Sequence, residues 1–235
     1  MSYLILGSGG LGGALAHELA SRGEEWLLAG RQLPKGLDPA CYFPLQEVDP
    51  LSFDALFPLY DTATLPTVVI NTIGLLHDLS HMPERRVEEV TPQWLGESLQ
   101  ANAWPHLALG ASLSRLMTFE SRLWLCTLSD LAGSLDEAHR EPVRRYSYRM
   151  SKAALNMGSR ILAAEWAERF PGAGVITVHP GLMDTPMQQP FRQEIDPALL
   201  QDPALVAPLL LDLLASLNQA HSGRFVDLRG QPLPW

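Results

Sequence analysis

Short apolar runs alternate along the whole chain with longer segments in which apolar residues recur at helical spacing. The runs predict strands at residues 3–6, 26–29, 68–70, 123–128, 175–178 and 224–228, with a weaker one at 43–48. The periodic segments predict helices near residues 11–20, 51–59, 92–117, 148–169 and 203–218. Pro208 is expected to kink or delay the last helix. Apolar strands separated by helices indicate an α/β fold, a doubly wound parallel sheet of about seven strands with helices on both faces.

The composition narrows the classes of protein that this chain can be. It has 235 residues, of which 46% are hydrophobic, and a formal net charge of −9. Nucleic acid and anionic membranes attract basic surfaces, and this chain is acidic, so we expect neither as its main partner. Cys41 and Cys126 cannot form a disulfide framework, and the most apolar stretch, residues 204–214, is too short to span a bilayer. With no signal-peptide pattern and no internal linker, we expect one cytoplasmic domain over residues 1–235.

A glycine-rich loop follows the first predicted strand and opens the first predicted helix. Its glycines fit both a GxGxxG and a GxxGxxG spacing, so the register of the motif stays open. Glycine permits a tight turn and lets backbone N–H groups approach a pyrophosphate at a helix N-terminus, as in the Rossmann fold. The sequence therefore predicts a dinucleotide site with contacts from Gly7, Ser8, Gly9, Gly10, Leu11 and Gly12.

The end of the second predicted strand indicates which dinucleotide is preferred. An NAD-binding chain places a carboxylate there for the ribose hydroxyls, whereas this chain has Gly30 followed by Arg31. A guanidinium suits a ribose phosphate, so NADP(H) is favoured over NAD(H). An ordinary solvated arginine is the alternative reading of Arg31.

Tyr148 and Lys152 form a second chemical signal. They lie four residues apart in a predicted helix and therefore share one face, and Lys152 is one of only two lysines in the chain. A tyrosine titrates near pH ~10, and a neighbouring ammonium group brings its pKa toward neutrality. The pair thus predicts an acid–base catalyst.

Together these motifs resemble the short-chain dehydrogenase/reductase family, and the resemblance extends over residues 4–235. The turn that follows the family's fourth strand is matched by Asn71, Thr72, Ile73 and Gly74. The segment that contacts the nicotinamide carboxamide is similar to Pro180, Gly181, Met183 and Thr185. Asp49 resembles the acid that touches the adenine. Finer motifs, such as Tyr146-Ser147-Tyr148-Arg149, are similar to the C-factor-like reductases.

The resemblance implies an NADP(H)-dependent oxidoreductase that interconverts a carbonyl and an alcohol on a small-molecule substrate. Tyr148 would exchange a proton with the substrate oxygen, and Lys152 would lower the pKa of Tyr148 and hold the nicotinamide ribose. Ser129, at the end of the fifth strand, stands where the family keeps its catalytic serine. Asn102 matches the asparagine that shapes its helix to hold a proton-relaying water. A homodimer or homotetramer is implied in the same way.

Two other functions stay open. The chain could be a non-catalytic dinucleotide-binding sensor or a C-factor-like cell–cell signalling protein. The GxxGxxG spacing also occurs in sugar-nucleotide epimerases, against which the short chain argues. His77 and His81 have the spacing of metal ligands, but without a third ligand in a recognisable pattern we expect no metal.

Overall fold

A parallel seven-stranded sheet forms the centre of the computed structural model, which describes residues 1–46, 64–136 and 144–235. Its strands are Ser2–Leu6 (β1), Glu25–Gly30 (β2), Tyr42–Pro44 (β3), Val68–Asn71 (β4), Trp124–Leu128 (β5), Gly174–His179 (β6) and Arg224–Asp227 (β7). The strand order is β3-β2-β1-β4-β5-β6-β7, and every neighbouring pair is parallel. The chain therefore winds outward in both directions from β1, which confirms the predicted doubly wound α/β fold.

Helices cover both faces of the sheet. Within the described ranges they are Gly10–Arg22 (α1), Pro92–Asn102 (α2), Trp104–Leu116 (α3), Tyr146–Arg169 (α4) and Pro203–Ala215 (α5). Successive strand side chains alternate between the faces. Ile5 of β1 packs with α1 and α5, whereas Leu4 and Leu6 pack with α3 and α4. Each face thus buries its own apolar cluster, and this explains why the strands read as unbroken apolar runs.

The structure departs from the predicted elements in three places. The single helix predicted over residues 92–117 is two helices, because Pro105 has no N–H to continue the ladder of α2 and is accommodated only in the first turn of α3. The third strand ends at Pro44 rather than at residue 48. The last helix starts at Pro203 and contains Pro208, so the proline does not delay it. The helix predicted near residues 51–59 lies outside the described residues.

The parallel arrangement brings the loops that follow β1, β4, β5 and β6 to one edge of the sheet. The strand order reverses between β1 and β4, and the crevice at such a reversal is where doubly wound folds bind their ligands. The predicted site residues of the glycine loop, of the turn after β4 and of the loop after β6 all follow these strand ends. Of the helices that the structure describes, none has the length and apolar character needed to cross a membrane.

Candidate active site

The glycine loop makes a turn that side chains would block. Gly7 has a φ of +96°, and a Cβ on Gly12 would lie 1.8 Å from the carbonyl oxygen of Gly7. A Cβ on Gly9, by contrast, would meet nothing within 4 Å. Gly9 is the N-cap of α1 and makes no side-chain cap hydrogen bond. The N-cap position of α1 therefore faces an open space, as an anion-binding helix N-terminus does.

The turn after β4 is hydrogen-bonded to the start of the glycine loop. The Thr72 hydroxyl donates to the carbonyl oxygens of Leu6 and Gly7, at 2.8 and 3.1 Å. Asn71 is buried, donates to Thr127 Oγ1 at 3.3 Å and accepts from the Ile73 N–H at 3.1 Å. These contacts give the Asn71 to Gly74 segment a structural role beside its predicted contact with the cofactor.

The loop after β6 packs against the glycine loop. Gly181 has a φ of +81°, which glycine adopts without strain, and Met183 forms a β-bridge with Gln201. A Cβ on Gly10 would lie 2.5 Å from Thr185 Cγ2, so this threonine is packed directly on the loop. The predicted contacts from β1, β4 and β6 thus converge on one crevice.

Tyr148 and Lys152 project from the first half of α4 into the same region. Lys152 is buried, donates to the Leu128 carbonyl oxygen at 3.1 Å, and holds its Nζ 5.8 Å from the centroid of the Tyr148 ring. Burial lowers the pKa of Lys152 to about 8, against the opposing attraction of Asp130. The Cβ position of Gly74 is 3.5 Å from Nζ, so glycine leaves the ammonium group room on that side.

The phenol of Tyr148 contacts a residue that the sequence reasoning missed. Its O–H donates to Asp130 Oδ2 at 2.9 Å. Ser129, the predicted catalytic serine, instead directs its hydroxyl to Asn156 Oδ1 at 2.6 Å. Both side chains therefore contact α4, Ser129 at Asn156 and Asp130 at the phenol of Tyr148.

Asp130 is held by several groups at once. Its Oδ1 accepts from the Ala132 N–H at 3.0 Å and lies 3.8 Å from His179 Nδ1. Burial alone would raise the pKa of Asp130, but His179, the Ala132 N–H, the Tyr148 hydroxyl and Lys152 together lower it. A carboxylate rather than a carboxylic acid therefore faces Tyr148 near neutral pH.

Asn102 ties the turn after β4 to the helix that carries Tyr148. Its side chain accepts from the Leu75 N–H and donates to the Leu75 carbonyl, both at 2.8 Å, and also donates to Ser151 Oγ at 3.0 Å. The Ser151 hydroxyl in turn donates to the Tyr148 carbonyl oxygen. Asn102 is the last residue of α2, and its amide is hydrogen-bonded to protein groups, so its role in holding a water stays a prediction.

A second carboxylate fixes the start of α4. Glu84 is buried and accepts from both the N–H and the hydroxyl of Ser147, and its backbone carbonyl accepts from the Arg145 N–H. Arg145, the N-cap, has a φ of +47°, a conformation uncommon outside glycine. A carboxylate at a helix N-terminus is stabilising, so Glu84 helps to fix the start of α4 at Tyr146, two residues before Tyr148. No sequence signal pointed to Glu84, because the contact spans 63 residues.

An apolar wall lies beside the phenol. Phe191 is buried against Leu76, Ala132 and Tyr148, and it lies in a short 3-10 segment, Gln189–Glu194. Just before this segment, the Met187 carbonyl oxygen lies 3.2 Å from Nε2 of His77, which follows the turn after β4. Met187 and Phe191 thus belong to the apolar cluster that packs against the ring of Tyr148.

The remaining predicted residues have simpler surroundings. Arg31 directly follows β2 and is exposed. A Cβ on Gly30 would lie 2.6 Å from the Ser8 side chain, so glycine there keeps Arg31 close to the glycine loop. Asp49, the predicted adenine contact, lies outside the described residues. His77 is not part of a metal cluster among the described residues, although Asp78, His81 and Glu97 place ligand atoms within 4.8 Å of one another.

The residues present fit a nicotinamide dinucleotide. In the loop Gly7 to Gly12, the position of Gly12 tolerates no side chain, whereas the position of Gly9 faces open space. Backbone contact with a pyrophosphate requires such a loop. The uncapped N-terminus of α1 provides the N–H groups and dipole for an anion.

Comparisons with known proteins agree with this geometry. No family model matches the chain. Over 90 residues, the chain is 40% identical to C-signal of Myxococcus xanthus, and the match covers 38% of this chain and 49% of that protein. The chain thus matches about half the length of this curated relative, in agreement with the predicted C-factor-like resemblance.

Several solved structures share the whole fold. The NADPH-bound carbonyl reductase from chicken fatty liver matches with a TM-score of 0.79 and 21% identity, over 100% of this chain and 98% of that one. The carbonyl reductase Sniffer of D. melanogaster matches with a TM-score of 0.76 and 23% identity, over 100% and 99%. A short-chain dehydrogenase family protein from Francisella tularensis matches with a TM-score of 0.72 and 14% identity, over 96% of each chain. Together with the sequence match, this shared fold confirms the resemblance to the short-chain dehydrogenases/reductases.

Proposed function

We propose that this chain, which resembles the short-chain dehydrogenases/reductases in sequence and fold, is an NADP(H)-dependent oxidoreductase that interconverts a carbonyl and an alcohol. One observation carries the proposal: Lys152 lies beside both Gly74 and the ring of Tyr148, at the strand ends that also carry the glycine loop. An acid–base pair next to a dinucleotide cradle is the arrangement that hydride-transfer chemistry needs, because a proton must move to or from the substrate oxygen. The NADPH bound to the similar chicken carbonyl reductase supports the choice of cofactor.

Different residues of the chain would transfer the proton, stabilise the developing charge and exclude water. A bound nicotinamide supplies or accepts the hydride. Tyr148 Oη gives its proton to the substrate oxygen during reduction and takes it back during oxidation. Lys152, with one proton engaged by Leu128, stabilises negative charge on the phenol oxygen and has two N–H donors left for ribose hydroxyls. Leu76, Met187 and Phe191 exclude water from the reacting atoms.

Arg31 supports the preference for NADP(H). It is exposed at the end of β2, next to Ser8 of the glycine loop, where a ribose phosphate would meet its guanidinium. Titration of the six-tryptophan chain by fluorescence should give NADPH binding at least about tenfold tighter than NADH binding, a gap of ~1.4 kcal/mol. Arg31→Ala should close that gap, whereas Arg192→Ala, another exposed arginine, should leave it unchanged. Equal binding of both cofactors by the unchanged chain would contradict the role of Arg31.

A non-catalytic sensor is the second candidate, favoured by the partial match to C-signal. Tyr148→Phe separates the two, since it removes the proton donor and keeps the ring that packs on Phe191. The oxidoreductase proposal expects loss of carbonyl-dependent NADPH oxidation with NADPH binding retained. Full turnover by this variant would refute the assigned role of Tyr148, and failure of the unchanged chain to oxidise NADPH with any carbonyl would favour the sensor.

Apolar side chains exposed on α3 and α4 support the expectation of a homo-oligomer. Trp104 and Leu107 on α3 are 42% and 41% exposed, and Met157 and Ile161 on α4 are both 61% exposed. The two helices are in contact, because Leu107 lies 3.1 Å from the Cβ position of Gly158. Burying such a face against a second copy is favourable. Ile161→Glu should shift a dimer toward monomer in sedimentation equilibrium, and an unchanged mass would remove this face from the interface.

A further inference from the structure

Among the residues that the structure describes, Asp130 places a carboxylate at the phenol that the proposed chemistry does not use. Its Oδ2 accepts the Tyr148 O–H at 2.9 Å, and 17% of the Asp130 side chain remains exposed. Asp130 caps the short helix Leu131–Gly133 through Oδ1, as Asp38 caps Pro39–Cys41, so the cap does not involve the Oδ2 contact with the phenol. The carboxylate at residue 130 therefore calls for a chemical explanation.

A neutral carbonyl substrate would leave this carboxylate in an unfavourable state. To protonate the substrate oxygen, Tyr148 must turn its O–H away from Asp130, and Oδ2 then loses its donor in a nearly dry site. After the proton has moved, a phenolate and a carboxylate lie side by side, which like charges resist. Lys152 relieves this only in part, since its Nζ donates to Leu128 and lies 5.8 Å from the Tyr148 ring centroid.

A cation on the substrate resolves both difficulties at once. An ammonium group offers N–H donors to replace the phenol hydrogen bond, and its charge balances Asp130 as negative charge develops on Tyr148. His179, 3.8 Å from Oδ1, lies on the opposite oxygen and leaves the Oδ2 side for such a donor.

We propose that the site selects carbonyl compounds that carry a protonated amine on the carbon next to the carbonyl, with Asp130 binding the ammonium group. This inference rests on the proposed oxidoreductase function. In the reduction, the carbonyl carbon gains a hydride from the reduced nicotinamide and the oxygen gains the Tyr148 proton, so an amino ketone becomes an amino alcohol and the ammonium group is unchanged. The apolar wall of Leu76, Met187 and Phe191 favours an aromatic or aliphatic group on the other side of the carbonyl.

A series of three nearly isosteric ketones tests the proposal. α-Aminoacetophenone, α-hydroxyacetophenone and propiophenone differ only in carrying an ammonium, a hydroxyl or a methyl group next to the carbonyl. We expect kcat/KM with NADPH to be at least about tenfold higher for the ammonium compound, which corresponds to ~1.4 kcal/mol. Asp130→Ser, which retains a capping hydroxyl, should abolish this preference, and so should Asp130→Asn, which retains the size of the side chain. Asp38→Ser is the matched control and should leave the preference unchanged.

A binding measurement gives a readout that is independent of turnover. Phenylethylammonium cannot be reduced, and its binding to the chain, followed by tryptophan fluorescence, should weaken at least about tenfold in both Asp130 variants. Equal or better use of the neutral ketones by the unchanged chain, or an Asp130→Asn variant that keeps the preference, would overturn the inference. If Asp130→Ser reduces propiophenone at least as fast as the unchanged chain reduces its best substrate among the three ketones, the oxidoreductase proposal is retained and the amine selectivity is rejected. If neither the unchanged chain nor any variant reduces the three ketones or a reactive dicarbonyl, the oxidoreductase proposal itself fails. The binding of phenylethylammonium then decides by itself whether Asp130 binds an ammonium group.

Discussion

Substitution of two glycines in one loop should separate its role in cofactor binding from its role in folding. The backbone of Gly9 has a φ of −73° and a ψ of −174°, which alanine adopts without strain, and a Cβ there meets nothing within 4 Å. Gly9→Ala should therefore change the free energy of unfolding by less than about 1 kcal/mol. The added methyl group would occupy the space in which a pyrophosphate contacts the first N–H groups of α1. Loss of one hydrogen bond to a charged group costs about 1.5–3 kcal/mol, so NADPH binding should weaken roughly 10- to 150-fold.

Gly12→Ala should behave differently. Its Cβ would lie 1.8 Å from the Gly7 carbonyl oxygen, and the backbone must shift, so we expect about 1–3 kcal/mol or more of destabilisation together with loss of binding. Gly96→Ala, in the exposed middle of α2, is the matched control and should leave binding unchanged while stabilising the helix by up to about 1 kcal/mol. Urea unfolding and NADPH titration of the three variants measure both quantities. A Gly9→Ala variant that binds NADPH as tightly as the unchanged chain would refute the assignment of this loop to the cofactor.

Two further predictions concern buried polar side chains of the site. Because burial lowers the pKa of Lys152 from 10.5 to about 8, the unfolded chain holds one more proton than the folded chain between these pH values. Lys152 should therefore contribute a rise of at most about 3 kcal/mol to the free energy of unfolding across that window, opposed in its upper part by the raised pKa of the buried Cys126 thiol. Lys152→Met should remove this rise in urea unfolding measured as a function of pH, and a rise that persists would show that another group causes it. Asn102→Ala leaves both polar groups of Leu75 and the hydroxyl of Ser151 without their partner, so we expect about 2–4 kcal/mol of destabilisation. Asn102→Asp keeps the acceptor for the Leu75 N–H, so its stability should lie between those of Asn102→Ala and the unchanged chain. A wild-type melting temperature for Asn102→Ala would contradict this account.

The fold and the cofactor cradle could be predicted because their signals are local. The strand, glycine loop and helix at residues 2–22 adjoin one another in the chain, and the four-residue spacing of Tyr148 and Lys152 is itself a helical repeat. The break between α2 and α3 also had a local signal, Pro105, which the apolar periodicity over residues 92–117 concealed.

The partners of the phenol could not be predicted in the same way. Ser129 and Asp130 are neighbours, and which of them faces Tyr148 depends on the direction in which β5 ends against α4. Glu84 reaches Ser147 across 63 positions of the chain, a contact that no periodicity encodes. The likeness of Ser129 to a family position thus identified the correct strand end, whereas the side chain that contacts the phenol required the three-dimensional structure.

Transfer of deuterium tests the oxidoreductase proposal most directly. The chain is incubated with a panel of carbonyl compounds and NADPH that carries deuterium at the transferable position of its nicotinamide ring, and the alcohols are analysed by mass spectrometry. The account predicts deuterium on the carbinol carbon of at least one alcohol, with the label absent when Tyr148→Phe replaces the unchanged chain. Tight NADPH binding without label in any alcohol would contradict the account and leave a dinucleotide-binding protein that does not transfer hydride.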